Sequence, residues 1–167
     1  MRAVLALGSN LPPRPQWLAL GRACLQEAGL ELLDSGPQWH TRPLDTFAQP
    51  AFLNQLLLVE GALTGREWLE LTRSVEERAG RRRTLRGGPR TLDLDVILIE
   101  GETWSEPDWV VPHPALLKRP YLLLGSALLA PNWAVVPGGP PLREAARGLL
   151  HGSWGLSEVG RSGPGTG

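Results

Sequence analysis

Residues 91–100, TLDLDVILIE, are apolar on both sides of an extended chain except for two acids. Alternation places Asp93, Asp95, Ile97 and Ile99 on one face and Leu92, Leu94, Val96 and Leu98 on the other. A strand apolar on both faces must be covered on both, which reads as a central strand of a layered domain. Asp93 and Asp95 then sit on one face at the strand's entrance, their Cα atoms roughly 7 Å apart. Two carboxylates so placed repel one another unless a cation lies between them. Magnesium suits such a pair, because it takes few carboxylates and keeps positions for water and phosphate oxygens. The plainer reading of this spacing is a solvated strand end. The apolar faces around the pair favour a cleft.

The rest of the chain supplies the layers. Residues 2–7 (RAVLAL) read as a first strand, ended by Gly8-Ser9-Asn10 and two prolines. From Gln16 to Ala28, Trp17, Leu18, Leu20, Ala23, Cys24 and Leu25 recur at helical spacing, and Gly29 closes the helix. A second strand follows in LELLDSGPQWHTRP, with a bulge expected at Ser35-Gly36. The turn-rich stretch RPLDTFAQPA leads into a third strand, residues 52–61. Thr64 is placed to cap the next helix, whose Trp68, Leu71 and Val75 share a side and which stops at Gly80. After the irregular, basic RRRTLRGGPR comes the aspartate strand, then an extended piece, WVVPHPALLKRP, and a short helix, YLLLGSALLAP. The order β-α-β-β-α-β with a helical C-terminal extension is the ferredoxin-like one: an α+β fold with helices packed on an antiparallel sheet. The expected division is a single domain over 1–151 and a Gly-rich, disordered tail over 152–167.

Composition narrows the function. A chain of 167 residues, 42% hydrophobic and 20% charged, is long enough for one domain with a proper core. Its formal net charge of +0 gives no electrostatic case for a nucleic-acid or membrane partner. The single cysteine, Cys24, excludes a disulfide framework and a thiolate zinc cluster, and its helical position reads as a small buried hydrophobe. The apolar run before Gly8 is too short for a signal sequence, and no stretch is long enough to span a membrane. A cytoplasmic protein is expected. Oligomeric state is not legible.

Next to the acids lies a basic stretch: Arg81, Arg82, Arg83, Arg86 and Arg90, with Gly87 and Gly88 among them. Guanidinium forks match phosphate oxygens. A run of arginines is often a solvated or nucleic-acid-binding surface, but beside a carboxylate pair it suits a triphosphate. Neither G-x-x-x-x-G-K-[ST] nor G-x-G-x-x-G occurs. His113, between two prolines in VPHP, is a candidate phosphate donor. Phe52 and Tyr121 sit at element edges where a flat ligand could stack.

In order, LALGSN, FLN, RRR…GGPRTLDLDVIL and VPHP…KRPY resemble 6-hydroxymethyl-7,8-dihydropterin pyrophosphokinases of folate biosynthesis, from about residue 3 to about 147. The resemblance implies a ferredoxin-like fold and transfer of the terminal pyrophosphoryl unit of ATP to the hydroxymethyl group of 6-hydroxymethyl-7,8-dihydropterin, releasing AMP. It implies two magnesium ions on Asp93 and Asp95. Arg81, Arg83, Arg90, His113 and Arg119 would contact ATP phosphates, with Arg81 and Arg90 nearest the transferred group. The pterin would lie between Phe52 and Tyr121, Asn54 bonding its polar edge and Thr41 and Leu44 lining its pocket. Gly8, Asn10 and Glu76 also match family positions. The chain departs from well-known members at Gly87, where they carry Trp, in a basic loop one residue shorter, and at Asp45, where Gly is common. The alternatives are a transferase for another substrate and a non-catalytic ferredoxin-like RNA-binding module.

Overall fold

Strand β1 (Arg2–Ser9) pairs antiparallel with β3 (Phe52–Glu60) on one side and β4 (Asp93–Ile99) on the other. Strand β2 (Glu31–Thr41) adds to β3, and β7 (Ser157–Arg161) to β2, giving the sheet order β4-β1-β3-β2-β7. Helix α1 (Arg14–Glu27) joins β1 to β2, and α2 (Gly65–Arg78) joins β3 to β4. A two-stranded hairpin of β5 (Trp104–Glu106) and β6 (Trp109–Val111) follows. Helices α3 (Pro120–Leu129) and α4 (Leu142–Ala145) and a 3₁₀ turn (Arg147–Leu149) form the C-terminal extension. The computed structural model describes residues 1–42, 49–81 and 90–149, and the backbone of 157–161. The ferredoxin-like α+β expectation holds.

Local signals set the element ends. Gly29 and Gly80 take φ of 89° and 73° just past α1 and α2, a left-handed turn that glycine adopts without steric cost. At the start of α2, the Glu67 carboxylate reaches back to the Thr64 backbone N–H, 2.8 Å, as in a capping box. The bulge expected near Ser35 is present: the β2–β3 register shifts between Ser35 and Gln38.

Each face of the sheet has its own core. Leu5, Leu7, Leu57 and Leu94 pack against Leu18, Cys24 and Leu25 of α1 and Trp68 and Val75 of α2. Val4, Ala6, Leu56 and Ile97 pack against Tyr121, Leu122 and Leu123 of α3 and Leu142 of α4. The three layers cover the sheet on both sides. An RNA-binding module of this topology reads bases on an open sheet face, and these layers occupy that face.

Three expectations are corrected. The aspartate strand is not central: β4 is the outer strand of its sheet. Its faces are apolar because helices lie above and below, and its outer edge is covered by the chain at His113, whose N–H donates to the Ile97 carbonyl, 2.8 Å. Within β4 the alternation breaks, since Leu5 opposes Val96 while Val4 opposes Leu98, leaving one extra residue on β4. Leu98 therefore joins Ile97 in the α3-side core and Ile99 turns to the α1/α2 side, the reverse of strict alternation. The tail expected to be disordered contains β7, paired with Pro37–His40 of β2. Backbone ladder bonds make few demands on side chains, so glycines at intervals did not exclude a strand there. Residues 150–156 and 162–167 lie outside the described residues.

Among the described residues no helix is long and apolar enough to cross a membrane.

Candidate active site

One row of residues crosses the sheet from the phosphate-type side chains to the candidate ring-binding ones. Asp93 lies opposite Gly8 of β1, Gly8 opposite Asn54 of β3, and Asn54 opposite Trp39 of β2. Directly paired residues share a face. Asp95, opposite Ala6, lies on that same face one step inward, toward the α3-side core. With strands ~4.8 Å apart, the Asp93 and Asn54 main chains are roughly 10 Å apart with only Gly8 between. Space beside Gly8 is tight. A Cβ on Gly8 would come within 2.5 Å of Asn54 Oδ1. Asn54 is buried, and its Nδ2 donates to the Thr41 hydroxyl at 2.6 Å.

Around Asp93 the charges are closely matched. Arg81, just past the C-terminus of α2, donates to Asp93 Oδ1 at 2.8 Å and also to the Glu76 carboxylate. Arg90 donates to Asp93 Oδ2 at 2.7 Å. Both Asp93 oxygens are thus held by guanidinium groups. Glu76, 6% exposed, additionally accepts the Leu94 backbone N–H at 2.9 Å, which ties α2 to β4. Burial pushes the Glu76 carboxyl up despite that bond and the nearby Arg81. Asp95 is pushed up too, first by burial and then by the charges of Asp93 and Glu76. Among the described residues Asp95 makes no ion pair like those that Arg81 and Arg90 make with Asp93.

His113 sits beside β4 with Nδ1 accepting the Ala115 backbone N–H at 3.1 Å. That bond leaves the ring proton on Nε2. Burial lowers the imidazole's proton affinity, so the group is a neutral donor. Arg119 lies with Cζ 4.7 Å from the Tyr121 ring centre, a cation–π contact at the N-terminus of α3. Burial pushes the Tyr121 phenol up to about 12, so it stays protonated.

Between α2, the outer edge of β4 and the β5–β6 hairpin lies a cavity of about 330 Å³, lined by Leu69, Thr72, Asp95, Val96, Trp109 and His113 among others. Its rim carries Asp108, bonded to Arg66 and Arg73 at 3.1 and 3.2 Å. The sequence reading missed this pocket. Leu69 and Thr72 look like ordinary helix residues, and Trp109 belongs to a hairpin strand too short to read from periodicity.

The structure therefore brings Asp93, Asp95, Glu76, Arg81, Arg90 and His113 to one corner, with Gly8, Asn54 and Thr41 adjoining along the row. Phe52, half-buried, faces Thr41 across the β2–β3 register. Arg119 and Tyr121 belong to the covering α3 layer, and Asn10 follows β1 directly. Leu44 and Arg83 lie outside the described residues, as do Arg82, Arg86 and Gly87.

A carboxylate pair, arginines and a nucleoside-sized cavity at one corner of an α+β sheet define a nucleotide-dependent group-transfer enzyme. The chain belongs to the 7,8-dihydro-6-hydroxymethylpterin-pyrophosphokinase family, whose model matches residues 4–131. It is accordingly a pyrophosphoryl transferase of folate synthesis. It is 36% identical to the 2-amino-4-hydroxy-6-hydroxymethyldihydropteridine pyrophosphokinase of Bacillus subtilis, over 72% of this chain and 73% of that protein. To the protein of the same name in Methylorubrum extorquens it is 34% identical, over 86% of this chain and 90% of that one. Among solved structures, the Plasmodium falciparum HPPK-DHPS with pterin and p-hydroxybenzoate shares the fold, with a TM-score of 0.64 at 12% identity, covering 89% of this chain and 43% of that one.

Proposed function

We propose that this chain transfers the pyrophosphoryl group of ATP to 6-hydroxymethyl-7,8-dihydropterin with two magnesium ions held at Asp93 and Asp95. The observation that carries the reading is the row Asp93–Gly8–Asn54, which sets a phosphate-type corner and a buried amide about one bicyclic ring apart. The donor set fits magnesium: among the described residues Asp95 makes no direct ion pair, and no larger His, Cys, Asp or Glu cluster competes. Bound there, the ions would supply Lewis-acid stabilisation of charge on the phosphates.

The chain's own residues do the rest. The cavity beside β4 takes the nucleoside, which directs the phosphates past His113 toward Asp95. His113 Nε2–H and the Arg119 guanidinium donate to nonbridging oxygens. Arg81 and Arg90 turn from Asp93 to the β- and γ-phosphates as these arrive, and Glu76 keeps Arg81 close. Arg83 and Leu44 keep the phosphate and pterin roles that the family resemblance gives them. The pterin stacks between Phe52 and Tyr121, with Asn54 bonding its polar edge and Thr41 fixing Asn54. The alcohol oxygen bonds the β-phosphorus, the bond from that phosphorus to its oxygen shared with the α-phosphate breaks, and AMP departs with that oxygen. The hydroxyl proton passes to water. Once turned onto the phosphates, the arginines stabilise the charge moving toward AMP, so no nucleophilic Ser, Cys or His is needed.

The test is incubation with Mg-ATP and the hydroxymethyl dihydropterin. AMP and the pterin pyrophosphate should accumulate together. Formation of ADP, or no turnover, defeats the reading. Gly8→Ala is expected to raise the pterin KM about 10-fold with a smaller change in the ATP KM. The new methyl group displaces Asn54 from Thr41, at the cost of roughly one buried hydrogen bond. Steady-state kinetics with each substrate varied in turn checks it.

A further inference from the structure

We propose that Asn10 and Arg14, on the connection from β1 into α1, are positioning residues that set the phosphate and pterin half-sites relative to one another. The inference rests on the pyrophosphokinase reading. Neither residue has been given a role so far, and each bonds to a chain segment that adjoins the substrates.

Asn10 is wholly buried, 0% exposed, and its amide is used at both ends. Oδ1 accepts the backbone N–H of Arg90 at 2.7 Å, and Nδ2 donates to the Gln49 side chain at 3.0 Å. Its own backbone N–H donates to the Arg90 carbonyl at 3.2 Å. Both backbone polar groups of Arg90 are thus fixed by one residue, and the Arg90 side chain runs from that fixed point to Asp93. Gln49 directly follows the stretch containing Leu44 and precedes Phe52 by three positions. A carboxamide is what this junction needs: it accepts from one segment while donating to the other, which neither a carboxylate nor a hydroxyl facing two such partners does as well.

Arg14 bonds on the pterin side. Its guanidinium donates to the Ala51 carbonyl at 2.8 Å and lies 3.5 Å from His40 Nδ1. Ala51 precedes Phe52 and His40 precedes Thr41, and Phe52 and Thr41 are paired in the β2–β3 register. Arg14 thus fastens the ends of the two strands that carry these residues. The two anchors divide unequally among the described residues: Arg14 bonds the strand ends on the pterin side, while Asn10 bonds both Gln49 and Arg90.

That division predicts a kinetic pattern. Arg14→Met and Gln49→Leu should each raise the pterin KM ~10-fold while leaving kcat and the ATP KM within ~2-fold. Asn10→Ala should raise the pterin KM similarly and also lower kcat ~100-fold, because Arg90 is no longer held. Combining Gln49→Leu with Asn10→Ala should raise the pterin KM by less than the product of the two single effects, since both remove the same Asn10–Gln49 bond. Asn10→Asp keeps the acceptor facing Arg90 and should recover kcat to within ~10-fold of the parent. Should Asn10→Ala fail to fold, the Arg14, Gln49 and Asn10→Asp variants still decide the matter. Unchanged pterin KM in both Arg14→Met and Gln49→Leu overturns the proposal, as does an equal change in all three constants. The unmodified chain is assayed alongside for AMP. Its failure to form AMP counts against the pyrophosphokinase reading, whereas AMP formation with a flat variant series counts against the anchors alone.

Discussion

Asp95→Ala is expected to cut kcat by at least ~10³-fold while leaving the protein at least as stable as its parent at pH 8 without magnesium. The first half follows from its place in the lining of the cavity, on the same strand face as Asp93, where a divalent cation would meet the phosphates. The second follows from its environment. Burial, Asp93 and Glu76 raise the Asp95 carboxyl from its ordinary 3.8 to about 7. A carboxyl raised on folding binds more protons in the native state than in the unfolded one, so it favours folding at low pH. That contribution is lost as pH climbs from 3.8 through about 7, and above it the ionised group opposes folding. Deleting it removes the repulsion. Thermal denaturation at pH 5 and pH 8, with turnover measured alongside, checks both halves. Near-normal turnover would remove Asp95 from the reaction, and a marked loss of stability at pH 8 would show that its charge is compensated.

Arg81→Ala should behave oppositely in stability while also reducing activity. Arg81 stands between Glu76 and Asp93 and donates to both. Its removal leaves two half-buried or buried carboxylates with one cation fewer, a cost of about 1–3 kcal/mol. It also removes a guanidinium proposed to meet the transferred phosphates, for an expected kcat loss of about 10²–10³-fold. Arg81→Lys keeps the charge but cannot offer a planar fork to a carboxylate and a phosphate together. It should recover most of the stability and little of the rate. Denaturant unfolding paired with single-turnover kinetics separates the two. Full catalytic recovery by lysine would mean that charge alone is required. Together, the two variants test whether this corner is held under electrostatic tension that the substrate relieves.

Much of the fold was legible because its signals are local. Gly29 and Gly80 ended helices where they stood, and Thr64 marked the start of α2. The bulge near Ser35 could be read because Ser-Gly-Pro interrupts an otherwise extended run. The position of β4 at the sheet's edge could not be read, because covering a face and neighbouring a strand leave the same apolar pattern. The reversal of Leu98 and Ile99 was equally hidden: one extra residue in β4 changes every side chain beyond it without altering composition.

The candidate site divides along the same line. Asp93 and Asp95 announce themselves, since a pair of acids in an apolar strand demands a cation, and the arginines before them supply a phosphate partner. Those inferences follow from residue chemistry at short range, which a sequence carries directly. That Gly8 has little room for a side chain is tertiary, decided by an Asn54 oxygen from a strand more than forty positions away. So is the nucleoside-sized cavity, made of leucine, threonine and tryptophan that would pass for ordinary core. So is the bonding of one Asn10 amide to Gln49 and Arg90. Charge type and spacing are written along the chain. Which distant groups share a hydrogen bond depends on strand register and layer packing, and those exist only once the sheet has closed.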